Sequence, residues 1–125
     1  MKLTDESLGA THLIRAYAPG ELRVGERLIR RSCLISSNEL VEDWRPQTLD
    51  ELSLADLEPI LALMPEIVVL GSGPRQRFPD AAWPGALLAR GIGCEVMDTG
   101  AACRTYNILA TEERRVVAAL LLHDD

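Results

Sequence analysis

An α/β fold built on a mixed central sheet is predicted by three observations along the chain. Residues 11–42 fall into short apolar and alternating runs separated by turn signals. From Thr48 the apolar residues recur instead at helical spacing. Beyond Pro65, short apolar runs alternate with helix-like stretches as far as residue 122, in the order strand, helix, strand, helix, strand.

Taken in order, Thr11–Tyr17 has strand composition and stops at Ala18-Pro19-Gly20, a turn signal. Leu22–Val24 and Arg27–Arg30 flank Gly25-Glu26 as the arms of a hairpin. Ser32–Ser36 and Glu39–Glu42, separated by Ser37-Asn38, complete an expected antiparallel meander. Asp43–Gln47 links this β-rich half to a helix expected over 53–63. Its apolar residues include Leu54, Leu57, Ile60 and Leu61, and Ser53 and Asp56 are placed to cap it. Pro59 either opens a turn or kinks this segment, and Pro65 ends it. Ile67–Leu70 has no polar position, the pattern of a strand buried on both faces. A helix over 81–90 follows, with Pro84 in its first turn and Gly91 beyond its end. Cys94–Met97 is the next strand, and Asp98 or Thr99 caps the next helix, with Ala102, Thr105, Tyr106 and Leu109 on its apolar stripe. Val116–Leu122 is apolar throughout. Periodicity alone does not separate a strand from a continuing helix there, but its two valines and its length favour a strand.

The 125 residues are read as one domain with a flexible stretch at 1–10. A net charge of −6 argues, for the surface as a whole, against general nucleic-acid binding, which normally shows a basic face. Cys33, Cys94 and Cys103 are odd in number and widely spaced, which predicts no disulfide framework. With His12 and His123 at opposite ends, they match no structural zinc pattern. Asp5 and Glu6 stand where a secretory leader needs a basic start, and no run approaches the ~20 apolar residues of a membrane span. A cytoplasmic chain without membrane insertion, metal or cofactor is expected.

The order of segments places the ends of the first two strands of the C-terminal half, at Gly71 and Asp98, on one edge of the sheet. Ligands of open α/β sheets bind at that edge. Gly71, Ser72 and Gly73 let backbone N–H groups approach a ligand, and Arg75, Arg77 and Arg104 add cations. With Asp98 and Thr99 opening the facing helix, they form a candidate site for a small carboxylate or phosphate. The loop is neither a dinucleotide fingerprint nor a Walker sequence, so no nucleotide is implied. Cys103, early in that helix, is the candidate for a thiol or hydrolytic chemistry. No histidine is near it in sequence to serve as its base, and a buried, inert thiol is the commoner case. Glu95 interrupts an apolar strand and either faces solvent at an edge or pairs with an arginine. Glu112–Arg115 reads as a solvated charge cluster, and Trp44 and Trp83 read as packing residues.

The segments Gly71-Ser72-Gly73-Pro74-Arg75-Gln76-Arg77-Phe78-Pro79, Gly91–Thr99 and Ala101–Leu109 resemble a family of small domains of unknown function. They are similar to the bacterial and archaeal relatives of mitochondrial complex I assembly factor 3 and of the adipogenesis-associated domain protein of animals. The resemblance spans residues 11–122 and implies a central mixed sheet, a β-rich N-terminal half and a strand at Val116–Leu122. It implies a protein partner and carries over no catalytic residue. A non-enzymatic interaction or assembly role is therefore the first expectation, anion binding the second, and thiol or hydrolytic catalysis the third.

Overall fold

A computed structural model describes residues 12–124. The expected flexible stretch 1–10, and Thr11 of the expected opening strand, lie outside the described residues. Strands β1 (Ile14–Ala18), β2 (Glu21–Val24) and β3 (Arg27–Ile29) pair antiparallel in a three-stranded sheet. The turns between them fall at Pro19-Gly20 and Gly25-Glu26, as the turn signals require.

The antiparallel meander expected over residues 11–42 does not form as one sheet. Strands β4 (Cys33–Ile35) and β5 (Leu40–Val41) form a hairpin that leaves the first sheet and joins the second. The burial pattern supplies the reason. Strand β2 alternates buried and exposed residues, as a one-sided sheet does, whereas Cys33, Leu34 and Ile35 are all buried and need cover on both faces.

The second sheet has five strands in the order β5-β4-β8-β6-β7, with β6 at Ile67–Gly71, β7 at Gly93–Met97 and β8 at Val116–Leu120. Strand β6 runs parallel to both β7 and β8, and β4 runs antiparallel to β8, so the sheet is mixed as expected. Val116–Leu122 is not a helical continuation.

The helix expected over 53–63 is shorter and broken. A 3-10 turn at Leu49–Glu51 precedes it, a second at Leu54–Asp56 leads in, and only α1 (Leu57–Leu61) is α-helical. Pro59 explains the break. It has no N–H to bond backward, so it is tolerated only in a first turn, and the α-helix begins just ahead of it. Helix α2 spans Ala82–Leu88 and α3 spans Thr99–Thr111. Arg90, Gly91 and Ile92 close α2 in a Schellman motif, in which Ile92 N–H donates to Leu87 O and Gly91 N–H to Leu88 O. Gly91 takes φ +77°, a conformation that favours glycine.

The five-stranded sheet is covered differently on its two faces. One core joins Cys33, Ile35, Val69, Val116, Ala118, Leu120 and Leu122 to Ala102, Cys103, Tyr106 and Ala110 of α3 and to Ile14, Leu22, Val24 and Ile29 of the small sheet. The other joins Leu34, Val68, Leu70, Val117, Ala119 and Leu121 to Trp44, Leu49, Leu57, Ile60, Trp83 and Leu87. Residues of β8 alternate strictly between these cores, and β4 and β6 on either side of it likewise contribute to both. The rings of Trp44 and Trp83 meet in the second core, 6.5 Å apart and tilted by 58°, which confirms their packing role. No helix among the described residues is long and apolar enough to cross a membrane.

Candidate functional site

The edge predicted from sequence is present. In register, Gly71 lies opposite Met97 of β7 and Leu120 of β8, so the loop after β6 and the start of α3 emerge side by side. The connection after β6 leads to α2, which packs on one face, and that after β7 leads to α3, which packs on the other. In a doubly wound sheet this divergence opens a crevice between the two strand ends.

Here the crevice is closed by the chain itself. Gly73 N–H donates to Thr99 Oγ1 (2.8 Å), Thr99 N–H donates back to Gly73 O (2.9 Å), and Thr99 Oγ1 donates to Leu121 O. Thr99 is completely buried. A Cβ on Gly71 would lie 2.7 Å from Thr99 Oγ1 and 3.0 Å from its Cα, so the glycine serves this close approach. The loop is bound inwardly as well. Ser72 Oγ donates to Arg75 O (2.7 Å) and accepts from Arg77 N–H (3.1 Å).

The cations do not converge on open space. Arg75 Nε contacts Asp124 Oδ2 at 2.8 Å, and Arg77 bridges Asp124 (3.4 Å) and Asp50 (2.9 Å). Arg104 stands apart, on a hollow of about 330 Å³ between α3 and β1 that Tyr17 also lines. Asp98 caps α3, accepting from Ala101 N–H at 2.9 Å. Of the eight residues singled out in sequence, Gly71, Ser72, Gly73 and Thr99 thus form an internal lock, Arg75 and Arg77 brace the loop, Asp98 is a cap, and Arg104 is separate.

Cys103 is buried, and burial chiefly pushes its thiol up to about 12, with the Arg104 charge opposing and the Asp98 charge adding. It is protonated at neutral pH and is a poor nucleophile. Cys33 and Cys94 are pushed up to about 12 and 11, also mainly by burial, and all three thiols are free. Glu95 is exposed on the edge strand β7, the solvent-facing alternative.

Three structural residues escaped the sequence reading. Asp124 gathers both loop arginines across 49 and 47 residues of chain, a pairing that no local pattern announces. Asn107 clamps β1 onto α3, accepting from Ile14 N–H (2.9 Å) and donating to Ile14 O (2.8 Å) in the manner of a neighbouring strand. Arg45 grips the buried Asp56 carboxylate at 2.9 and 2.7 Å, while Ser53 N–H and Oγ also donate to it. Burial works to raise that carboxyl, but the Arg45 and Ser53 bonds outweigh it and hold it below the usual carboxylate range.

Beside the braced loop lies a more open feature. A hollow of about 320 Å³ is lined by Leu49, Leu52, Leu54, Pro79, Asp80 and Trp83, among others. Trp83 donates its indole N–H to Ser53 O at 3.0 Å and forms part of the wall. Leu54 and Phe78, large apolar residues, are 54% and 72% exposed.

The chain is thus a two-sheet α/β fold whose strand-end crevice is filled from within, with large apolar side chains exposed beside it. This chain is a member of the family described as proteins of unknown function DUF498/DUF598, which matches residues 14–121 and bears out the resemblance read from sequence. The chain is 28% identical over 97% of its length, and 70% of the relative's, to NADH dehydrogenase [ubiquinone] 1 alpha subcomplex assembly factor 3 of Danio rerio. It is 27% identical, over 97% of its length and 99% of the relative's, to the 13 kDa major membrane protein of Francisella tularensis. An NMR structure from Xanthomonas campestris shares the fold with a TM-score of 0.82, at 41% identity over 90% of this chain and 85% of that one.

Proposed function

We propose that this chain is a non-catalytic, cytoplasmic protein-binding domain that acts in assembling a respiratory NADH dehydrogenase-type complex. The observation that carries the reading is the near full-length similarity to an assembly factor of that complex. Two features support it. The sheet edge where a substrate would sit is occupied by Thr99 and the glycine loop, and the thiol nearest that edge is held protonated. A relative named as a membrane protein fits a partner at the membrane. The test is deletion of the gene, followed by native electrophoresis of membranes with an in-gel NADH dehydrogenase stain. The assembled complex is expected to fall and subcomplexes to accumulate, and expression of the chain is expected to restore it. Unchanged assembly after deletion would remove the reading.

A further inference from the structure

Building on that protein-binding reading, we infer that the hollow between the 3-10 turns and the start of α2 is the docking surface, and that it takes a basic segment of a partner protein carrying a bulky apolar side chain. The apolar part of the surface is formed by Leu52, Leu54 and Pro79 around Trp83, with Phe78 exposed next to Pro79. Exposed aromatic and aliphatic side chains around a shallow hollow are the usual anchors of a protein interface.

The loop that carries Phe78 is braced on its inner side. Ser72 Oγ ties Arg75 to Arg77, and the Arg77 guanidinium is fixed between Asp50 and Asp124. Phe78, the only phenylalanine in the chain, is thereby presented on an ordered support, which lowers the entropy lost when a partner covers it.

Charge selects the partner. Asp80 lines the hollow, and Asp50 and Glu51 adjoin Leu49 and Leu52, which also line it. Among the described residues Asp80 has no ion pair, whereas the nearby cations Arg77 and Arg45 are each committed to carboxylates. The surface is therefore net acidic on a chain of net charge −6, which favours a basic partner and opposes a second copy of this chain. The larger hollow, about 600 Å³ at the opposite strand ends, lacks this acidic character because Arg114 and Arg115 line it beside Glu113.

The experiment titrates the isotope-labelled full chain with a short peptide alternating leucine and lysine, and with its counterpart carrying glutamate for lysine. Shifts are expected at Leu52–Leu54, Asp80–Ala82 and the Trp83 indole N–H, with the lysine peptide bound about tenfold more tightly. Leu54→Ser and Phe78→Ser, at exposed positions, are each expected to weaken binding about fivefold or more. Asp80→Asn keeps the acceptor for Ala82 N–H and narrows the difference between the peptides. Equal binding of both peptides, shifts centred on Ser37 and Arg115, or the same shifts on concentrating the protein alone would each overturn the inference. The two proposals fail separately. If deletion abolishes assembly but the Leu54→Ser, Phe78→Ser double variant restores it fully, this surface is wrong and the assembly role stands. If deletion leaves assembly intact while the lysine peptide docks here, the reverse holds.

Discussion

Thr99 is the residue on which the strand-end lock depends. Its hydroxyl is the partner of the Gly73 N–H and donates to the Leu121 carbonyl, in a position with no access to water. Replacement by valine keeps the shape and removes both bonds, leaving two buried backbone groups unsatisfied. Thr99→Val is expected to cost roughly 2–4 kcal/mol in urea unfolding, and Thr99→Ser distinctly less, since it retains the hydroxyl. Equal losses for the two variants would show that packing of the methyl, and not the hydrogen bonds, sets the stability. A second residue points the other way. Helix α3 ends in the same Schellman geometry as α2: Arg114 N–H donates to Leu109 O and Glu113 N–H to Ala110 O. Here, however, the left-handed position is Glu113, at φ +64°, instead of a glycine. Its side chain is exposed, so little packing is lost on removing it. Glu113→Gly is expected to raise stability by about 1 kcal/mol, read as a higher urea midpoint at unchanged slope.

At the scale of elements, the segment leading into α1 depends on one buried carboxylate. Asp56 closes a capping box with Ser53 and receives two bonds from Arg45, so it fastens the 3-10 turn to the linker that carries Trp44. Its folded-state pKa is depressed below the ordinary value of 3.8. The stability it contributes is therefore present above that value and lost as pH falls through the folded pKa. Unfolding free energies taken near neutrality and near pH about 3 should differ more for the parent chain than for Asp56→Asn, which cannot titrate there. A parallel decline would place the acid sensitivity elsewhere. The Ser53–Asp56 spacing made this cap legible in sequence because a capping box is local. The strands and helices with their own periodicity were legible for the same reason, as was the shared edge at Gly71 and Asp98, which follows from connection order. The division of the N-terminal strands between two sheets was not, since it depends on which strand is buried on both faces. Nor was the fate of the arginines. A carboxylate partner for Arg75 and Arg77 is an open alternative in sequence, with Asp98 the nearer candidate. Asp124 is not legible as that partner because it approaches only when β8 has been laid beside β6.

The whole molecule is organised about β8 and the two residues that follow it: Val116, Ala118, Leu120 and Leu122 enter one core and Val117, Ala119 and Leu121 the other. Neither layer keeps its floor if this strand leaves, so the two faces should unfold together although their coverings differ. Each core carries its own reporter. Trp44 and Trp83, the only tryptophans in the chain, lie in the second core, whereas Cys33 and Cys103 lie in the first. Burial pushes both of those thiols up to about 12, so at mildly alkaline pH they stay protonated and shielded until their core opens. Tryptophan emission and labelling of Cys33 and Cys103, read apart from the half-buried Cys94 of the second core and followed across one urea series, are therefore expected to give coincident midpoints. Leu120→Ala and Leu121→Ala, which face opposite cores, are each expected to lower both midpoints together, at a cost of about 2–5 kcal/mol. If Leu120→Ala instead advanced labelling of Cys33 and Cys103 while tryptophan emission kept the parent midpoint, the small sheet and α3 would be a separable layer. The shared strand would then not couple the two faces.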